Sequence, residues 1–187
     1  MDAPLLPPAF VVGASMAPAL RRRSGGHANP EQQQGQSQVR AIYEALEEHD
    51  FAALEELAYS PLGFCSAELR RTVWLFLLGL SPEEANDTGW RRDLASVEHS
   101  EKDARVMHAD VQRSVYSWDV HTGIRKSTRN QKRTQLSEVM HAILLRHKGK
   151  LAYFQGFHDI ALVFLEVGTP AQAFHMVERL GGFRPRE

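Results

Sequence analysis

Thr134-Gln-Leu136-Ser-Glu-Val139-Met140-His-Ala-Ile143-Leu144-Leu-Arg-His147 is the stretch that decides the fold class. Leu136, Val139, Met140, Ile143 and Leu144 recur at i, i+3, i+4, i+7 and i+8, the stripe of an amphipathic helix. Lys148-Gly149-Lys150 supplies its stop, with the glycine as the C-terminal signal.

The same period recurs on both sides. Val39, Ile42, Tyr43 and Leu46 predict a first helix, and a short second one spans about Phe51 to Ala58. Ser60-Pro61-Leu62-Gly63 is turn chemistry. Ser66 then reads as the N-cap of a helix from Ala67 to about Leu80. That helix is apolar almost all round, which predicts a buried helix. Ser81 to Trp90 reads as a loop, Lys102 to Tyr116 as a polar helix, and His121 to Gln131 as a basic, flexible connection. Two more helices are expected, from Phe157 to about Val167 and from about Ala171 to Leu180, the latter opened by Thr169 and Pro170. No segment sustains period-two alternation, so the expected fold is all-α. Residues 1–37, rich in Pro, Gly, Ser and Gln, bury too little apolar surface to offset their ordering and are expected to form a disordered tail. The folded domain is expected over 38–187.

Composition narrows the function. With 22 Lys plus Arg against 23 Asp plus Glu in 187 residues, the chain lacks the basic surplus of a nucleic-acid binder. The single cysteine, Cys65, excludes an internal disulfide and fits a reducing compartment. No run approaches the roughly 18 apolar residues of a membrane span. Four prolines and Asp2 make the N-terminus a poor targeting segment. His108, His121, His141, His147, His158 and His175 lack the spacing of a zinc helix, so no metal is expected. There is no phosphate-binding loop and no serine elbow, hence no self-contained active site.

Two strings carry chemistry. Met107-His-Ala-Asp110-Val-Gln-Arg113 places an arginine three residues after an aspartate on a helix. Tyr153-Phe-Gln155-Gly156 places a glutamine beside a glycine. GTP hydrolysis uses these two side-chain types: arginine neutralises charge on the transferring phosphoryl group, and glutamine orients the attacking water. Read singly, each has a plainer meaning. Asp110 and Arg113 make an ordinary surface ion pair, and Gln155 is a loop residue bonded to backbone. His158-Asp159, beside Gln155, offer support to that loop. Trp74 and Arg70, in Leu69-Arg70-Arg71-Thr72-Val73-Trp74, read most simply as core and as a structural ion-pair partner.

In order and spacing together, the three strings resemble the TBC domain of GTPase-activating proteins for Rab-type small GTPases, over about residues 39–180. The run Tyr153 to Ile160 especially resembles the member-20 branch, whose full-length form is anchored in the endoplasmic reticulum membrane. The resemblance implies that Arg113 is an arginine finger and Gln155 a glutamine finger, both supplied in trans to a Rab-type GTPase. It makes Asp110 the residue that orients the arginine. Tyr153 and Gly156 shape the glutamine loop, and Arg70 and Trp74 are structural. It implies no cofactor of the chain's own, since GTP and Mg²⁺ arrive with the GTPase. It also implies a cytoplasmic location peripheral to endoplasmic reticulum and Golgi membranes, and a role in vesicle trafficking between them. Met107 replaces the more usual Ile or Leu, and Ser114 the more usual Thr. TBC domains continue well past the glutamine motif, so the expected fold is the N-terminal lobe only. A helix over Ile160 to Leu165 is then expected to expose an apolar face. The alternatives are a catalytically weak helical interaction module that binds a GTPase without activating it, and a generic helical scaffold.

Overall fold

The computed structural model describes residues 30–96, 101–115, 126–148 and 150–181. Among them there are helices and turns and no strand, as the periodicity predicts. The chain divides after Ser81 into two compact units.

The first unit holds α1 (Pro30–Glu47), α2 (Phe51–Tyr59) and α3 (Ala67–Leu77). Helix α1 begins at Pro30 rather than near Val39, so part of the glutamine-rich run expected to be tail is helical. Gln38, on that extension, donates to the carbonyl of Gly63 at 2.6 Å. Residues 1–29 lie outside the described residues. Helix α1 stops where His49 adopts a left-handed conformation (φ 56°) and Asp50 N–H returns to the Ala45 carbonyl at 2.9 Å. The Asp50 carboxylate then accepts from Ala53 N–H at 2.9 Å and starts α2. Ser66 caps α3 as expected, accepting from Leu69 N–H at 3.1 Å. Gly79, at φ 62°, ends the helix at Leu77 rather than at Leu80. Helix α3 is not buried all round: Leu69, Val73, Leu75 and Phe76 are buried, whereas Leu77 is 45% exposed. Leu69, Val73 and Phe76 join Ile42, Ala45, Leu46, Leu54 and Phe64 in one core.

The second unit holds α4 (Pro82–Asn86), a 3₁₀ helix (Gly89–Ser96), α5 (Glu101–Arg113), α6 (Lys126–Arg146), α7 (Phe157–Val167) and α8 (Pro170–Leu180). The expected Ser81 to Trp90 loop is instead α4 and the start of the 3₁₀ helix. Pro82 at the first helical position, followed by Glu83 and Glu84, is a start signal in its own right. Helix α6 is the centre. Its Leu136, Val139, Met140 and Ile143 are fully buried, and it packs against α5, α7, α8 and the 3₁₀ helix. Thr169 and Gln172 form a reciprocal capping box at α8. Trp90 stacks on Phe174 of α8 at 4.8 Å between ring centroids. Glu178 of α8, buried, binds Arg146 at 3.1 Å and His147 at 2.8 Å, which joins α8 to the end of α6. No helix among the described residues is long and apolar enough to cross a membrane.

The basic stretch expected to be a flexible connection forms, from Lys126 onward, the start of α6. Just beyond it, two cations of α6 cap other helices. The Arg133 guanidinium donates twice to the Ser114 carbonyl, at 3.1 and 2.9 Å, at the end of α5. Lys132 Nζ donates to the Leu165 carbonyl at 2.9 Å, near the end of α7. Cations suit these positions because the last carbonyls of a helix carry its negative dipole end. Residues 116–125, including the expected end of the helix at Tyr116, lie outside the described residues.

Candidate functional site

The site starts from α5. Met107 and Val111 form its buried stripe, with the buried Val115 just past its end, and Asp110 falls on the same face because it lies three residues after Met107. Asp110 is accordingly 4% exposed. The side chain of Arg113, one turn on, is 73% exposed. The pair is therefore not the ordinary surface contact that spacing alone suggests: its anion is anchored in the protein and its cation reaches outward. Arg113 is the last residue of α5, where the dipole favours a positive charge. Ser114 Oγ donates to the Asp110 carbonyl at 2.8 Å, and Arg133 holds the Ser114 carbonyl, so the end of α5 is tied down on both sides.

The Asp110 carboxylate has two donors. Arg113 Nη2 donates to Oδ1, and the Tyr153 hydroxyl donates to Oδ2 at 2.7 Å. The bond from Tyr153 foremost, and then that from Arg113, hold the Asp110 carboxyl below the usual carboxylate range, against the opposing effect of burial. Tyr153 moves the other way: burial foremost, and then its bond to the Asp110 anion, push its phenol well above its ordinary value. Tyr153 thus stays a donor across the physiological range, and Asp110 stays an acceptor. On its other side the Tyr153 oxygen meets His158 Nδ1 at 2.9 Å, and His158 Nε2 lies 3.2 Å from Asp159 Oδ1.

Gln155 is exposed, two residues after Tyr153, in the turn that enters α7. Gly156 caps α7 at φ 94° and ψ −13°, the left-handed region. A Cβ there would meet nothing within 4 Å, so the glycine is needed for its backbone and not for space. Phe157 N–H bonds back to the Phe154 carbonyl at 3.1 Å and closes the turn, while the Phe154 ring stacks on Phe157 at 5.1 Å. Phe154 is 51% exposed, and on α7 Ile160 and Val163 are 38% and 51% exposed. The apolar exposure expected of α7 is therefore present at these two positions, whereas Leu162, Phe164 and Leu165 are buried.

Of the seven residues singled out from the sequence, five lie in the second unit. Asp110, Arg113 and Tyr153 meet directly, and Gln155 and Gly156 follow Tyr153 along the chain. The other two, Arg70 and Trp74, lie on α3 in the first unit, where Trp74 packs half-buried against the core. One contributor escaped the sequence reading: Arg133 acts across 19 positions, so no local spacing announces it.

A family model described as the Rab-GTPase-TBC domain matches residues 67–187. The chain is 31% identical to TBC1 domain family member 20 of Bos taurus over 80% of its own length and 36% of that protein. It is 28% identical to the GTPase-activating protein gyp10 of Schizosaccharomyces pombe over 76% of its length and 36% of that protein. For the GTPase-activating protein GYP8 of Saccharomyces cerevisiae the identity is 30%, over 79% and 26%. The chain thus spans about a third of the length of the curated relatives it matches. With three motif strings in order, an all-α fold and a family match over more than half its residues, the chain belongs to the Rab-GTPase-TBC domain family.

Proposed function

We propose that this chain activates a Rab-type small GTPase by completing its active site. Arg113 stabilises the negative charge that develops as the γ-phosphoryl group leaves GTP, and Gln155 orients the hydrolytic water. Asp110 and Tyr153 orient the arginine, and Gly156 gives the glutamine turn its shape. Nucleotide and Mg²⁺ belong to the GTPase, and the chain needs no cofactor of its own. One observation carries this reading: Asp110 accepts from both Arg113 and Tyr153, so a single buried carboxylate ties the arginine-bearing helix to the glutamine-bearing turn. Preorganising both groups before the partner arrives is what an in-trans catalytic contribution requires.

A second reading draws on Phe154, Ile160 and Val163, which present apolar surface beside the same turn. In that reading the chain docks on a GTPase without accelerating hydrolysis. Single-turnover GTP hydrolysis over a panel of Rab-type GTPases separates the two. Activation requires acceleration with at least one of them, and R113A and Q155A each remove most of it while melting near the parent. Binding with no acceleration by any GTPase selects the second reading. An R113A variant as active as the parent rules out the arginine's role.

A further inference from the structure

His158 is the second residue of α7, and it is 9% exposed. A buried position with no polar duty favours an apolar side chain. Nδ1 of this ring is engaged instead. Nδ1 lies 2.9 Å from the Tyr153 hydroxyl, and Nε2 lies 3.2 Å from Asp159 Oδ1. The Tyr153 proton is committed to Asp110 Oδ2 at 2.7 Å. What the Tyr153 oxygen offers His158 is therefore a lone pair, and Nδ1 must carry the hydrogen that fills it. Nδ1 is also 3.8 Å from Asp110 Oδ2, so a donor at this ring position faces both oxygens. The hydrogen-bonded chain runs His158, Tyr153, Asp110, Arg113, and it passes from α7 through the glutamine turn to the end of α5.

We propose that His158 is a positioning residue: by donating through Nδ1 it fixes the rotation of the Tyr153 hydroxyl, and through Tyr153 and Asp110 it orders the Arg113 guanidinium. The proposal rests on the activator reading above for its catalytic consequence, and on geometry alone for its structural one. Without the histidine donor the phenol still reaches Asp110 but loses one of its two restraints. The Asp110 carboxylate then turns more freely, and Arg113 with it. Asparagine is the informative replacement, because its Nδ2 is attached to Cγ as Nδ1 is in histidine and donates from nearly the same place.

The test uses the full chain with R113K, H158A and H158N. Nitrogen-15 NMR of the arginine side chains, with R113K identifying the Arg113 signal, reads guanidinium order. The expected result is an ordered signal in the parent and in H158N and a motionally averaged one in H158A. With a responsive GTPase, H158A lowers the maximal single-turnover rate roughly tenfold, less than the about 10²-fold that a 1 Å misplacement costs. The activator concentration at half-maximal rate stays unchanged, and H158N restores the rate. An Arg113 signal as ordered in H158A as in the parent overturns the proposal. Equal loss of order or rate in H158A and H158N also overturns it, since that marks a bulk effect. If the parent accelerates no GTPase, the activator reading fails, and the NMR comparison still decides whether His158 orders Arg113.

Discussion

Replacing Tyr153 with phenylalanine removes one oxygen and leaves the ring. That oxygen donates to Asp110 at 2.7 Å and meets His158 at 2.9 Å. A hydrogen bond to a charged group contributes about 1.5–3 kcal/mol. The lower half of that range applies, because Arg113 is 73% exposed and water reaches the edge of the site. A loss of about 1.5–2 kcal/mol corresponds to a fall in melting temperature of roughly 3–8 °C for a chain of this size. The pH dependence is the sharper test. The folded protein holds the Asp110 carboxyl below its ordinary value, with the Tyr153 bond as the leading cause. A depressed carboxyl contributes stability that is present above its unfolded value and is lost as pH falls through its folded one. The gap between parent and Y153F is therefore widest at neutral pH and narrows on acidification, as Asp110 becomes protonated in both. Urea unfolding of both proteins at a series of pH values from neutral to acid reads this directly. Equal stability at pH 7, or a gap that stays constant into acid, refutes the account of Asp110 as an anion held by Tyr153.

Other expected outcomes follow from the same structure. G156A forces a Cβ into the left-handed region at φ 94°; it costs about 1–3 kcal/mol in thermal unfolding and reduces GTPase activation more than it reduces stability. E178Q leaves Arg146 and His147 without their buried carboxylate. It destabilises by roughly 3 kcal/mol, the low end for breaking a buried pair, as read by denaturant midpoint. V163D places a charge on exposed apolar surface of α7. It leaves folding intact and weakens binding to a GTPase if that face is a docking surface, as measured by calorimetric titration. R113A removes acceleration on the order of 10³–10⁵-fold in the single-turnover assay with little change in melting temperature, since the guanidinium is largely in solvent.

Most of the fold was legible because it is written locally. The period of Leu136 to Ile143, the Ser66 cap and the Thr169-Pro170 start each act within a few residues, and the helices they predict are present. The misreadings have separate causes. The basic segment looked flexible from its charges and its glycine, yet from Lys126 onward it begins α6, and Lys132 and Arg133, just past it, bond to carbonyls of α7 and α5 far away in sequence. The loop after Ser81 was read from its turn residues, and Pro82 with its acids made a helix of part of it. Helix α3 looked buried all round because composition does not say which face meets a core, and Leu77 faces outward.

For the site, the sequence by itself determined which residue types are available and in what order: an aspartate and an arginine one turn apart, and a glutamine beside a glycine. It could not determine that Asp110 is buried while Arg113 is exposed, because that depends on where α6 and α7 sit against α5. Nor could it join positions 110 and 153. Only the tertiary structure brings the Tyr153 hydroxyl to the Asp110 carboxylate across 43 positions of chain. The physical reason is range. Helix periods and caps are encoded within a few residues, whereas a hydrogen bond between distant segments forms only after the cores between them have packed and set its geometry.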